Sequence, residues 1–469
     1  MKPTYTKVKK WLNILWKITG TAIILVGLGF FVSRVINIVP SAELSKEEQI
    51  ITILEQGGCF VCHGGPDYCT HINWPVFGAI ISKNAEKGIR FANATSILEH
   101  FNDSRPIDQT LLIKSQKVVS ERSMPPMSFR IIHWKSGITK DKQKIFLRWI
   151  YELMATDHGW PLPAKDRPFE PIMPLPDSLP ADFAKVNLGR ILYHDPRLSA
   201  DSTVSCATCH NPGSAGVDNL DYSVGAYGQP GMFSTLTTYN AVFHPFFSWE
   251  GNASTLALQS AMTLVDPVIM GNESFEPVID RLMADVPFTL LFTETYPDGL
   301  NADNITDALA QYHKVLITPD APFDKYLQGD SEAIGPDAKK GYQLFKRLGC
   351  ASCHNSIGVG GNSFEYMGLS NNFFSIRDRV RLPDLGRYRI TARPEDIHKF
   401  KVPGLRNIEL THPYFHNASA PDLETAVEAM AYHQRDKLIN KDKVHQIVSF
   451  LRTLTGTFRE KPLTDSERQ

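Results

Sequence analysis

A mainly α protein with long loops is the fold class this sequence predicts, and three observations predict it. Short stretches with helical apolar spacing run up to Cys59, Cys206 and Cys350. Longer ones recur at residues 141–154, 304–317 and 443–456, with aromatic and aliphatic side chains placed to cover one face. Each pair brackets one copy of a single motif, Cys-x-x-Cys-His, so the same helical plan is written three times. At 469 residues the chain has room for about three domains, each burying its own core. A formal net charge of −1 leaves no basic face for nucleic acid and no acidic tail.

In chain order, residues 1–40 come first. Lys2, Lys7, Lys9, Lys10 and Lys17 precede an apolar run over residues 18–32, which extends to Val39 if Arg34 snorkels. That length crosses a bilayer. With Trp11 and Trp16 near the inner interface, the positive-inside rule keeps the N-terminus cytoplasmic and exports everything after Pro40. A cleaved signal peptide is the alternative, but the run is long for such a segment and "VPSAE" is a poor cleavage site. The expectation is one uncleaved transmembrane helix.

The motif itself reads "GCFVCHGG" around Cys59, "SCATCHN" around Cys206 and "GCASCHN" around Cys350, and it holds six of the seven cysteines. Cysteines three apart lie about one helical turn from each other, so both thiols reach the vinyl groups of one haem while the adjacent His63, His210 or His354 turns in to the iron. A zinc pair or a thioredoxin-like redox pair needs no His directly after the second Cys. Three covalent haems of the c type are therefore expected, on Cys59 and Cys62, Cys206 and Cys209, and Cys350 and Cys353. Thioether attachment also accounts for the absence of a disulfide framework in an exported chain. Cys69 is left over, as a buried or a reactive thiol.

A first and a last helix crossing over a haem pocket is the plan of a small cytochrome c. It gives a monohaem domain at residues 41–160 and further haem domains at 181–325 and 326–469. Between the first and second lies "GWPLPAKDRPFEPIMPLPDSLP", whose seven prolines fix φ and remove amide donors. A semi-rigid extended connector is expected there, at residues 161–180. The short turn-rich "ITPDAPFDKYLQGDSEAIGPDAKKG" suggests that the second and third haem domains form one rigid pair.

Function turns on the group opposite each histidine, because Met suits electron transfer and an open face permits chemistry. For the first haem the leading candidate is Met124 in "SERSMPPMSFRIIHW", held by two prolines, with Met127 as runner-up. For the third, Met430 in "LETAVEAMAYHQ" reads on its own as a core methionine of an amphipathic helix.

From about residue 182 to 456 the chain resembles the bacterial dihaem cytochrome c peroxidases. The blocks "RLSADSTVSCATCHN", "FFSWEGNAST", "LVDPVIMGNE", "LITPDAPFDKYLQGD", "GCASCHN" and "FKVPGLRNIELTHPYFHNAS" match that family's order and spacing. With "CFVCHGG", "NWPVF", "MPPMSFRIIHW" and the anchor, the whole is similar to the membrane-bound trihaem quinol peroxidases of Gram-negative bacteria. The resemblance implies that His210 is proximal to the peroxidatic haem and that His354 and Met430 ligate an electron-transferring haem. It places Trp249 between those haems and Gln259 as a distal glutamine. It also implies a calcium ion on the carbonyls of Thr411 and Pro413, with Ser234 aligned to the family's asparagine ligand, and it is compatible with a homodimer.

Two positions depart from the family. Ala226 stands where many members carry a distal histidine that blocks the peroxidatic iron, so that haem is expected to be five-coordinate from the outset. Ile269 in "DPVIM" replaces the distal glutamate, and Asn252 an arginine. Cleaving the peroxide bond calls for a group that moves a proton between its oxygens, worth about 10²–10⁴-fold. Asp266, Glu250, Glu273 and His244 are the candidates to stand in. The resulting expectation is an inner-membrane enzyme with its haem domains in the periplasm, reducing hydrogen peroxide with electrons from quinol or a cytochrome. The rivals are a dihaem oxidase acting on a protein and a multihaem electron carrier that is not a catalyst.

Overall fold

The computed structural model describes residues 35–64, 93–103, 105–122, 124–126, 129–130, 133–164, 170–374 and 380–458, with Trp16, Thr19, Val32, Ala85, Gly88 and Arg167 as isolated positions. Most of the expected anchor lies outside these residues, as do Cys69 and Met127. Among the described residues no helix is long and apolar enough to cross a membrane. The chain forms two compact units, residues 1–153 and 154–469.

In the first unit, α1 (Lys46–Gly57) starts at Ser45, whose hydroxyl accepts from the Glu48 amide at 3.1 Å while the Glu48 carboxylate accepts from the Ser45 amide at 2.9 Å. That reciprocal pair satisfies two otherwise orphaned donors. Ile50, Ile53 and Leu54 form the buried stripe. Gly58, at φ +63°, stops α1 and lets α2 (Cys59–His63) leave in a new direction. α3 (Thr95–Asp103), α4 (Gln109–Glu121) and α5 (Lys140–His158) complete the unit's helices. Gln143 of α5 donates to the Val119 and Ser120 carbonyls at 3.0 and 2.8 Å, which closes the C-terminal turn of α4.

The second unit runs through α6 (Phe183–Tyr193), α7 (Cys206–Cys209), α8 (Leu256–Leu264), α9 (Glu276–Met283), α10 (Val286–Thr295) and α11 (Ala302–His313). α12 (Pro322–Leu327), α13 (Pro336–Arg347), α14 (Leu423–Arg435) and α15 (Lys441–Arg452) follow. Side-chain caps from Asp182, Asn301, Asp422 and Asn440 start α6, α11, α14 and α15. β1 (Phe364–Tyr366) and β2 (Lys399–Lys401) pair antiparallel, with Phe364 opposite Lys401. α11 ends four residues earlier than the apolar pattern suggests. Beyond it the Leu316 carbonyl and the Thr318 amide bond to the backbone and side chain of Asn240, so the apolar residues are buried in an extended segment.

Two cores fill this unit, and the same device builds both. One packs Leu188, Leu192 and Tyr193 of α6 on Ala308, Leu309 and Tyr312 of α11. The other packs Tyr342, Leu344 and Phe345 of α13 on Ile447, Val448 and Phe450 of α15. At each crossing a glycine lets the backbones touch. A Cβ on Gly189 would lie 2.0 Å from the Ala308 carbonyl oxygen, and one on Gly341 would lie 1.8 Å from that of Gln446.

The proline-rich connector is not a free spacer. Ile172 and Met173 have 0 % exposure, and the Ser356 amide donates to the Pro171 carbonyl at 2.7 Å. Proline fixes the extended path, while the apolar residues between the prolines pull it into the core.

Helix propensity favours Ala over Gly by about 1 kcal/mol, but a methyl group 1.8 Å from a backbone oxygen cannot be relieved by a rotamer change. Gly341→Ala should therefore lose about 1–3 kcal/mol of stability in denaturant unfolding. An unchanged or raised midpoint would show that α13 and α15 do not meet as described.

Candidate functional site

Each Cys-x-x-Cys-His segment closes one turn of helix. The His210 amide donates to the Cys206 carbonyl at 2.8 Å and the His354 amide to that of Cys350 at 3.0 Å. Each imidazole then meets a backbone carbonyl a few residues on: His210 Nδ1 lies 3.4 Å from Gly216 O and His354 Nδ1 lies 3.3 Å from Val359 O. A proton held on Nδ1 leaves the Nε2 lone pair for a metal, the usual second-sphere arrangement of a ligating histidine. The Tyr193 hydroxyl donates to the His210 carbonyl at 2.8 Å and fixes that segment from behind.

Burial pushes the thiols of Cys59 and Cys206 up to about 12 and that of Cys350 up to about 11. A dithiol redox pair needs a lowered thiol, so these pairs do not suit exchange chemistry. At the Cys59 and Cys350 motifs, two cavities suit thioether attachment of a haem. One, in the first unit, is bordered by Cys59, Cys62, His63 and Met124 among apolar side chains of α1, α4 and α5. The other is bordered by Cys350, Cys353, His354 and, on α14, Met430. Apolar walls, two thiols, a histidine and a thioether are what a haem of the c type requires.

Trp249 reaches the second of these cavities from the segment that follows the other haem motif. Its indole Nε1 donates to the Ser234 carbonyl at 2.8 Å, and its own carbonyl accepts from the Lys401 amide at 2.8 Å. Ser234, Thr411 and Pro413 border the same cavity. The Ser234 hydroxyl donates to the Pro413 carbonyl at 3.5 Å, and the Asn219 amide donates to the Leu410 and His412 carbonyls at 3.0 and 2.7 Å. His416, behind them, is wholly buried, with Nε2 2.8 Å from the Asp384 carboxylate and its ring stacked on Phe400. This pair escaped sequence reasoning, since Asp384 and His416 are 32 positions apart.

The two departures from the family meet in the fold. The Ala226 amide donates to the Ile269 carbonyl at 2.9 Å, so the residue in place of a blocking histidine abuts the residue in place of a glutamate. Asp266 begins this turn, with one carboxylate oxygen accepting from the Val268 and Ile269 amides at 2.8 Å each. Gln259 of α8 uses its amide nitrogen on Thr263 at 3.2 Å, while its buried carbonyl oxygen has no hydrogen-bond partner. The other candidate bases lie elsewhere. Glu250 is held by Arg389 at 3.0 Å, Glu273 is exposed, and His244 packs against Gly358, Gly361 and Gly404, where burial pushes it down to about 3. Asn252 accepts from Ser248 at 2.7 Å and supplies no charge.

Arg406 secures the loop that carries Val359. It donates to the Ile357 carbonyl at 2.6 Å and to the Met173 carbonyl at 2.8 Å, and pairs with Asp324 at 2.9 and 3.0 Å, all of it buried.

Comparison with known proteins agrees with this arrangement. Residues 32–152 match a haem-binding domain and residues 183–332 match the family model for di-haem cytochrome c peroxidase. The chain is 36 % identical to the cytochrome c peroxidase Ccp of Escherichia coli over 449 residues, 94 % of this chain and 96 % of that one. It is 39 % identical to the cytochrome c551 peroxidase of Nitrosomonas europaea over 289 residues, 61 % of this chain and 84 % of that one. Among solved structures, a MauG-like protein associated with microbial copper homeostasis superposes with a TM-score of 0.53 at 25 % identity, covering 63 % of this chain and 93 % of that one.

Removing one member of a buried ion pair strands the other, at a cost of about 3–5 kcal/mol. Arg406→Met should lose that much stability in urea unfolding, and the double variant Arg406→Met with Asp324→Leu should recover most of it. Equal losses in both would mean that the pair's charge is not what matters.

Proposed function

The chain belongs to the di-haem cytochrome c peroxidase family and is a haem-dependent peroxidase, and we propose that within the family it is an anchored three-haem enzyme. It converts hydrogen peroxide and two protons to two waters, with two electrons taken from a membrane quinol or, in its place, a cytochrome. His63 and Met124 would hold the haem on the donor side, His354 and Met430 the relay haem, and His210 alone the haem that meets peroxide. The observation that supports this reading is the Ala226–Ile269 contact: the positions at which the family carries a blocking histidine and a distal glutamate are neighbours here, and neither residue has a side chain able to ligate iron.

Haem, when bound, supplies the redox chemistry of oxygen–oxygen bond cleavage. The protein's part is positional. His210 is oriented by Gly216, and the carbonyl oxygen of Gln259, without a partner among the described residues, would accept a hydrogen bond from the incoming peroxide. Of the four candidate acids and bases, Asp266 alone shares the turn with Ile269, with one oxygen bonded to two amides and the other available for proton transfer through water. Trp249 contributes an indole beside the relay site. A calcium ion on Thr411, Pro413 and Ser234 would tie the two haem regions together. The anchor over residues 18–39 and export of the remainder complete the reading, which places catalysis on the periplasmic side of the inner membrane, in a monomer or homodimer.

Electron paramagnetic resonance of the resting ferric protein should give one high-spin and two low-spin haems. Three low-spin signals would favour the plain carrier. Ile269→Glu should raise peroxide turnover with a reduced quinol analogue by about 10–100-fold if a missing carboxylate limits the rate. Asp266→Asn, by contrast, should lower it, and an Asp266→Asn enzyme as fast as its parent would remove that residue from the mechanism.

A further inference from the structure

Lys401 is a buried cation with no acidic partner among the described residues. It ends β2 at 3 % exposure, its amide bonded to the Trp249 carbonyl at 2.8 Å, and its side chain borders the cavity of Cys350, Cys353, His354 and Met430. Glu365 borders the same cavity without forming an ion pair with Lys401 among the described residues, and three other acids are already engaged. Glu250 is paired with Arg389 at 3.0 Å, Asp396 with Lys399 at 3.3 Å, and Asp384 with His416 at 2.8 Å. Among the described residues no ion pair includes Lys401. Burial pushes its amine down to about 8, which still leaves it protonated at neutral pH. Holding an unpaired ammonium in an apolar wall of Phe400, Val402 and Pro403 is unfavourable, and an anion from outside the chain would offset that.

The geometry points to that anion: Lys401 pairs with a propionate of the haem attached at Cys350 and Cys353, and so fixes the carboxylate edge of that haem beside Trp249. On a c-type haem the thioether-forming vinyl groups and the propionates lie on opposite edges. Arg435, another cation bordering the cavity, packs against Gly349 next to Cys350 and so sits at the thioether edge. Lys401 comes from a different part of the chain, joined to Trp249 and not to the attachment turn. It is thus a cofactor-binding residue that also sets the electrostatics of the relay site. The inference needs a haem at this motif and is independent of whether peroxide is the substrate.

The test uses the full-length holoprotein and two readouts other than turnover: the midpoint potential of the Met-ligated haem in an optical redox titration, and the propionate bending bands in resonance Raman spectra. Removing a cation favours the oxidised, more positive haem. Lys401→Met should therefore lower that potential, leave the first unit's haem unchanged and shift the propionate band, while Lys401→Arg keeps both near the parent values. If Lys401→Met fails to mature, Lys401→Gln is read in the same way. An unchanged potential and band overturn the proposal. So does a parent potential that tracks chloride or phosphate concentration, which would identify the partner as a solution anion.

Discussion

A haem pocket has to be apolar enough to hold a porphyrin and yet present one nitrogen in a fixed direction, and the rest of this protein follows from how those demands are reconciled. The bond from a histidine Nδ1 to a backbone carbonyl does it: Gly216 serves His210 and Val359 serves His354. Neither acceptor brings a charge into the pocket, and each belongs to a loop that other groups immobilise. Tyr193 braces the first loop, Arg406 the second. Behind the pocket, charge comes as the pairs Asp324 with Arg406 and Asp384 with His416, while Glu365, Lys401, Arg435 and Lys437 border the cavity of the His354 motif.

The two cores of the second unit share one scaffold and differ in what faces the metal. Both rest on a glycine that lets two helices touch, Gly189 in one and Gly341 in the other. In the C-terminal core, α14 brings Met430 to the cavity opposite His354. In the other core the Ala226 turn meets Ile269, which packs against that core, and neither residue has a strong donor in its side chain.

The contact between Ala226 and Ile269 also makes the two sequence departures one structural event. A histidine at the first position and a glutamate at the second would be immediate neighbours, and both are absent together. Polar side chains at these turns include Asp266, which accepts from the Val268 and Ile269 amides, Asp201, which accepts from the Tyr227 amide at 2.6 Å, and Gln229, which donates to the Pro267 carbonyl at 3.5 Å. Glu250 and His244 looked equivalent to Asp266 in the sequence. An ion pair removes one, and packing against three glycines removes the other.

The sequence by itself determined the attachment chemistry and the helices. Cys-x-x-Cys-His is a local pattern whose spacing fixes the turn, and amphipathic periodicity is written within each helix. It also showed the proline-rich path as extended, though not as buried, because burial of Ile172 and Met173 depends on surfaces supplied much later in the chain. Tertiary structure alone decided which distant residues share a site. Lys401 was visible only as one letter in "FKVPGLRN", and its burial without an ion pair among the described residues depends in part on partners for Glu250, Asp384 and Asp396 that are themselves fixed by folding. Charge compensation acts through space, so linear spacing carries no record of it.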